Sequence, residues 1–231
     1  MEIYKSGLDE KKGFFSSLSV NTILILINAI MFFVLILLQK FGIFEWDYIK
    51  DYIAINPSNI LQGKYLWTFL TSMFMHGGFF HLFVNMFSLF FIGSLLQKIL
   101  GAKRYLYFYL IAGLFAGLFF VLVSLIMNQF GFVQEFNSFA VGASGALFGL
   151  IGLMMFLTPN LPVYIMFIPI PIKIKYAAPG MLILLWLISV TGNIPIGNTA
   201  HLGGLIAGLV YGLYLKNRYK HKVRSLNKFF R

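Results

Sequence analysis

No cysteine occurs among the 231 residues, so a disulfide scaffold, a thiolate zinc site and a thiol nucleophile are all excluded. Charge is scarce as well. Asp, Glu, Lys and Arg together make up 11% of the chain, against about 25% in a soluble domain, too few to cover a surface that faces water. Disorder is excluded by the opposite excess, because 59% of the residues are hydrophobic and 18% aromatic. The net charge of +11 points either to nucleic acid or to a membrane, and the positions of the basic residues separate the two.

A helix needs about 20 apolar residues to cross the roughly 30 Å hydrocarbon core of a bilayer. Six such runs are present, over 20–38, 80–96, 105–127, 141–157, 176–190 and 199–215. The fourth ends at Thr158-Pro159-Asn160, where Pro cannot continue a helix and Asn favours a turn. The run 161–172 contains Pro162, Pro169 and Pro171 and is too broken to cross, so it reads as an interfacial loop. The connection 39–79 is too long for a turn and is expected to form a structured lid at the membrane surface. The expected architecture is an all-α membrane protein, a bundle of six transmembrane helices with a large first outer loop. It divides into an N-terminal tail (1–19), a six-helix domain (20–215) and a basic C-terminal tail (216–231).

With the N-terminus in the cytosol, 15 of the 18 Lys and Arg residues fall on the cytosolic side, and only Lys40, Lys50 and Lys64 fall outside. That split satisfies the positive-inside rule with both termini cytosolic. The basic tail therefore calls for no nucleic-acid partner; membrane lipids are its expected neighbours. No removable signal peptide is evident in the first 19 residues, and a cell membrane is the expected location.

All seven carboxylates, Glu2, Asp9, Glu10, Glu45, Asp47, Asp51 and Glu135, fall outside these six runs. This argues against a pump or transporter built on intramembrane acid relays, against hydrolysis by paired aspartates, and, with no H-E-x-x-H present, against an embedded zinc hydrolase. The remaining polar groups are then the informative ones. Measured from the cytosolic ends at ~1.5 Å per residue, Ser144, His201, His81 and Asn85 stand ~20–25 Å above that side, so four polar side chains from three helices share one layer beneath the outer surface.

A serine hydroxyl needs an adjacent base to act as a nucleophile, and His201 is the base that packing places beside Ser144. Gly145-x-x-x-Gly149 follows Ser144, and Gly204-x-x-x-Gly208-x-x-x-Gly212 follows His201; small residues at this spacing let two helices touch in lipid. Phe148, one turn below Ser144, is placed to stack on the imidazole. Gly142 and Ala143 are expected to leave room for a substrate backbone. A helix beginning near Ser144 would aim free N–H groups at an oxyanion, and His81 and Asn85, one turn apart on a shared face, would add donors. His76, in the turn before the second run, is expected to tie the outer loop to the bundle. Taken singly, such a Ser, His or Asn is more often a packing or interfacial residue. Their coincidence at one depth, without a carboxylate, favours a catalytic pocket.

These residues resemble the rhomboid family of intramembrane serine proteases. The likeness is carried by His76-Gly-Gly-Phe-Phe-His81-x-x-x-Asn85, Gly142-Ala-Ser144-Gly145 and Ala200-His201-x-x-Gly204-x-x-x-Gly208, in the family's order, over about 67–212. The resemblance implies Ser144 as nucleophile, His201 as base, and His81, Asn85 and the Ser144 N–H as the oxyanion hole. It also implies cleavage of the transmembrane helices of other proteins, without metal or organic cofactor. Thr68 and Gln97 stand where many members have Arg and Glu. A fifth helix carrying Trp186 is the expected lateral gate, and a catalytically inactive rhomboid-like chaperone is the competing reading.

Overall fold

The computed structural model describes residues 18–165, 169–192 and 196–230; most of the expected 1–19 tail and part of the 161–172 loop lie outside the described residues. Helix α1 (Val20–Lys40) opens on Ser19, whose side chain accepts from the Thr22 N–H, as a serine cap should. The connection to the next long helix is structured, with α2 (Trp46–Ile53), α3 (Pro57–Leu61) and α4 (Thr68–Thr71), then a 3-10 turn over Ser72–Phe74. The second long helix joins α5 (Phe79–Ser88) and α6 (Ser94–Leu100) through a π turn at Leu89–Gly93.

Asn21 holds that π turn to α1. Its side-chain amide donates to the Leu89 carbonyl and the Ser94 hydroxyl, its backbone N–H donates to Gln97 Oε1, and it accepts from Tyr105 Oη. Gln97 therefore serves as an acceptor through its amide oxygen. Tyr105 belongs to α7 (Ala102–Gln129), the longest helix, which is followed by the short α8 (Val133–Phe136).

Helix α9 (Ser144–Leu157) begins three residues later than the apolar run that contains it. Residues 140–142 approach it in non-helical conformation: Ala140 pairs with Ile55 as an antiparallel bridge, and the Gly142 N–H donates to the Ser72 carbonyl at 2.8 Å. Fourteen residues give α9 a length of ~21 Å at 1.5 Å per residue. It is apolar on all sides and mostly buried, as a helix without a polar face must be. A two-residue hairpin, β1 (Pro162–Val163) with β2 (Ile172–Lys173), leads into α10 (Ile174–Gly192), which contains Pro179. α11 (Asn198–Arg218) packs along α9. The basic segment after α11 carries a further helix, α12 (Lys220–Lys228), whose Val223 is buried against the core.

Four of these helices are long and apolar enough to cross a membrane: Val20–Lys40, Phe79–Leu100, Ala102–Gln129 and Ile174–Gly192. α9 is short, and the glycines, His201 and Asn198 of α11 dilute its apolar character. α10 is the least buried of the four.

Candidate active site

Ser144 is the first residue of α9, and His201 lies in the first turn of α11. The Nε2 atom of His201 and the Oγ atom of Ser144 are 2.7 Å apart, a hydrogen-bond distance. Two glycine stripes make this approach possible. A Cβ on Gly204 would run into the Gly145 carbonyl, and one on Gly208 into the Gly149 carbonyl. His201 is 7% exposed. Its ring stacks on Phe148 with centroids 4.6 Å apart and an interplanar angle of 25°, while Nδ1 has no hydrogen-bond partner among the described residues. The Phe148 ring, and no carboxylate bonded directly to the imidazole among the described residues, lies against it.

His81 and Asn85 lie on α5, and Asn85 Nδ2 donates one hydrogen to the His81 carbonyl at 3.0 Å, leaving its second amide hydrogen for another acceptor. Both side chains face Gly142. A Cβ there would stand 2.8 Å from His81 Cε1 and Nε2 and 3.6 Å from Asn85 Nδ2. Gly142 also has φ of +115°, a backbone conformation that a side chain disfavours. The space beside Gly142 is taken by the His81 ring, and Ala143 is fully buried.

His76 is buried and meets His81 edge-on, with ring centroids 5.1 Å apart. Burial, and secondarily the neighbouring His81, lower its pKa to about 3, outweighing the opposing influence of the Phe74 backbone. Neither ring nitrogen has a partner in hydrogen-bond geometry among the described residues, so the neutral imidazole contributes by packing.

The first N–H groups of any helix lack intrahelical partners, so the start of α9 directs donors and the positive end of the helix dipole toward the side of Ser144. Ser144, His201, His81 and Asn85 thus come together around 142–144, with Phe148 beneath. Sequence reasoning missed two supports. One is the Ser72 carbonyl that fixes Gly142. The other is Glu135, whose two carboxylate oxygens accept from Thr199 Oγ1 at 2.8 and 2.9 Å; its signal was that no other acidic residue follows Asp51.

Residues 63–218 match the Rhomboid domain family. The chain is 35% identical over 164 residues to RHOMBOID-like protein 1 of Arabidopsis thaliana, covering 69% of this chain and 37% of that protein. It is 33% identical over 183 residues to RHOMBOID-like protein 6, mitochondrial, of the same plant, covering 77% and 49%. A further relative, Inactive RHOMBOID-like protein 8, also from Arabidopsis, is 33% identical over 151 residues, covering 64% and 38%. The matched stretch thus spans half or less of these curated relatives' length. With that domain match covering more than half of its length, the chain belongs to the rhomboid family.

Proposed function

We propose that the chain is an intramembrane serine endopeptidase that cleaves transmembrane helices near the outer leaflet of a cell membrane. Six helices would span the bilayer, with both termini in the cytosol: the four long apolar ones together with α9 and α11. The observation that carries the reading is the 2.7 Å contact between Ser144 Oγ and His201 Nε2. A ~21 Å helix is shorter than the roughly 30 Å core, so α9, with its Leu157 end at the cytosolic face, holds Ser144 below the outer headgroups. The first outer loop covers it there.

In this mechanism His201 Nε2 accepts the Ser144 proton as Oγ bonds to the scissile carbonyl carbon. The oxygen of that carbonyl becomes an oxyanion, held by the Ser144 N–H, Asn85 Nδ2 and His81. His201 then gives the proton to the departing amide nitrogen, the C–N bond breaks, and an acyl-enzyme remains on Ser144. Water, deprotonated by His201, releases the second product and restores the hydroxyl. None of these steps draws on a metal or organic cofactor. The scissile segment must unwind before attack, so small or helix-breaking residues are favoured there. α10, the least buried of the long apolar helices, is the natural side of entry.

The alternative is an inactive rhomboid-like binding protein; one relative carries the name inactive. Retention of both Ser144 and His201 in bonding contact favours the protease. The deciding experiment is reconstitution into liposomes with a labelled single-span substrate, together with fluorophosphonate labelling of Ser144. Two products and a labelled serine are expected; intact substrate and an unlabelled protein would point to the binding role. Asn85→Ala is expected to lower kcat about 10²-fold, the effect of removing one oxyanion donor, with KM nearly unchanged. An equal rise in KM with unaltered kcat would place Asn85 in substrate binding instead.

A further inference from the structure

We propose that Glu135 is a positioning residue for the catalytic base, holding His201 in place through Thr199. This rests on the protease reading above. Thr199 stands two residues before His201 in the first turn of α11. Its hydroxyl reaches both oxygens of the Glu135 carboxylate, a hydrogen bond to a charged acceptor and so stronger than a neutral one.

Three observations make this contact more than a surface tie. Helix α11 starts at Gly197, which offers no side-chain acceptor to the helix N-terminus, so the first turn lacks the usual local cap. A carboxylate beside that turn supplies the negative charge the helix dipole favours. In addition, the His201 ring has no hydrogen-bond partner at Nδ1 among the described residues; besides Ser144, the Phe148 stack and the backbone of α11 locate it. Finally, Glu135 lies nine residues before Ser144 in the same connecting segment.

That segment is itself fixed. Ser138 Oγ donates to the Glu135 carbonyl at 2.9 Å, and Asn56 Nδ2 donates to the Asn137 and Ser138 carbonyls at 3.2 and 3.3 Å. The Ile55–Ala140 bridge follows. One strap, the 135–143 segment braced by Asn56 and Ile55 of the first outer loop, therefore leads to the nucleophile at its end and grips the base's helix at Glu135. The two halves of the dyad share a second mechanical link besides their own hydrogen bond.

The test uses full-length protein in liposomes with Glu135→Ala, Glu135→Gln, Thr199→Val and the double variant Glu135→Ala/Thr199→Val. Read-outs are kcat and KM on a single-span substrate, the rate of fluorophosphonate labelling at Ser144, and the ring ¹⁵N resonances of His201, assigned by their loss in His201→Ala. Glu135→Ala and Thr199→Val should each lower kcat and labelling about tenfold, the loss of one hydrogen bond to a charged group. KM should stay within about twofold, and the double variant should be no worse than either single one, since both remove the same bond. Glu135→Gln, whose amide oxygen accepts the same bond, should return to within about threefold of the wild type, short only of the charge–dipole contribution. The His201 resonances should shift in Glu135→Ala and Thr199→Val and lie near the wild type in Glu135→Gln.

Normal kcat and unmoved His201 resonances in both single variants would overturn the proposal, even if the melting temperature falls. Should the wild type neither cleave nor label, the protease reading fails separately, and the His201 resonances alone decide whether Glu135 positions the ring.

Discussion

Ser144→Ala is expected to reduce cleavage of a reconstituted substrate to background, and His201→Ala to the same level, a loss of up to about 10⁶-fold in kcat by analogy with removing either member of a serine–histidine pair. The equality follows from the geometry. The Ser144 hydroxyl is hydrogen-bonded to His201 Nε2, the base that takes its proton, so a hydroxyl without the imidazole is nearly as inert as no hydroxyl. For the same reason the double variant should lose nothing further. Folding should survive Ser144→Ala, because the change removes one hydrogen bond worth about 1 kcal/mol and leaves a residue that fits the same space. Melting temperatures measured beside cleavage rates check this. Cleavage by Ser144→Ala within about 100-fold of the wild type would remove the serine from the chemistry, since oxyanion stabilisation and binding alone leave only a small residual catalysis.

Much of this site could be read from the sequence because its logic is periodic. Phe148 lies four residues after Ser144, which puts it on the same helix face, and the structure stacks it on His201. The glycines of α9 and α11 recur every four residues and meet backbone to backbone. Composition placed apolar runs at 20–38, 80–96, 105–127 and 176–190, and long apolar helices cover them at 20–40, 79–100, 102–129 and 174–192, because length and apolar content are local properties. What escaped depends on partners far away in the chain. Val141, Gly142 and Ala143 continue an apolar run, yet the Ser72 carbonyl and Ile55 hold this approach outside the helix, so α9 starts at Ser144. Asn21 looked like any polar residue in an apolar helix until the π turn, Ser94, Gln97 and Tyr105 surrounded it. Glu135 and Thr199 are 64 residues apart, and no period connects them.

The same glycine contact makes the packing of α9 on α11 the most sensitive structural feature, and Gly208→Ala should expose it. A Cβ there would overlap the Gly149 carbonyl and stand 2.7 Å from the Leu153 nitrogen. These are backbone atoms of the facing helix and cannot rotate aside, so the helices must separate. Overpacking of this kind costs about 1–3 kcal/mol, and the displacement also reaches the site, because Ser144 and His201 sit on the two helices being pushed apart. A misplacement of about 1 Å is enough to lose 10²-fold in rate, so Gly208→Ala should lower kcat by about that factor even where the protein remains folded. Gly204→Ala, overlapping the Gly145 carbonyl one turn from His201, should cost at least as much. Gly180→Ala is the control: no atom lies within 4 Å of its Cβ position on α10, and neither stability nor turnover should fall. If Ala at 208 and 204 left melting temperature and kcat at wild-type values, the helices would have slack to spare, and the glycine stripes would not be what brings the hydroxyl to the imidazole.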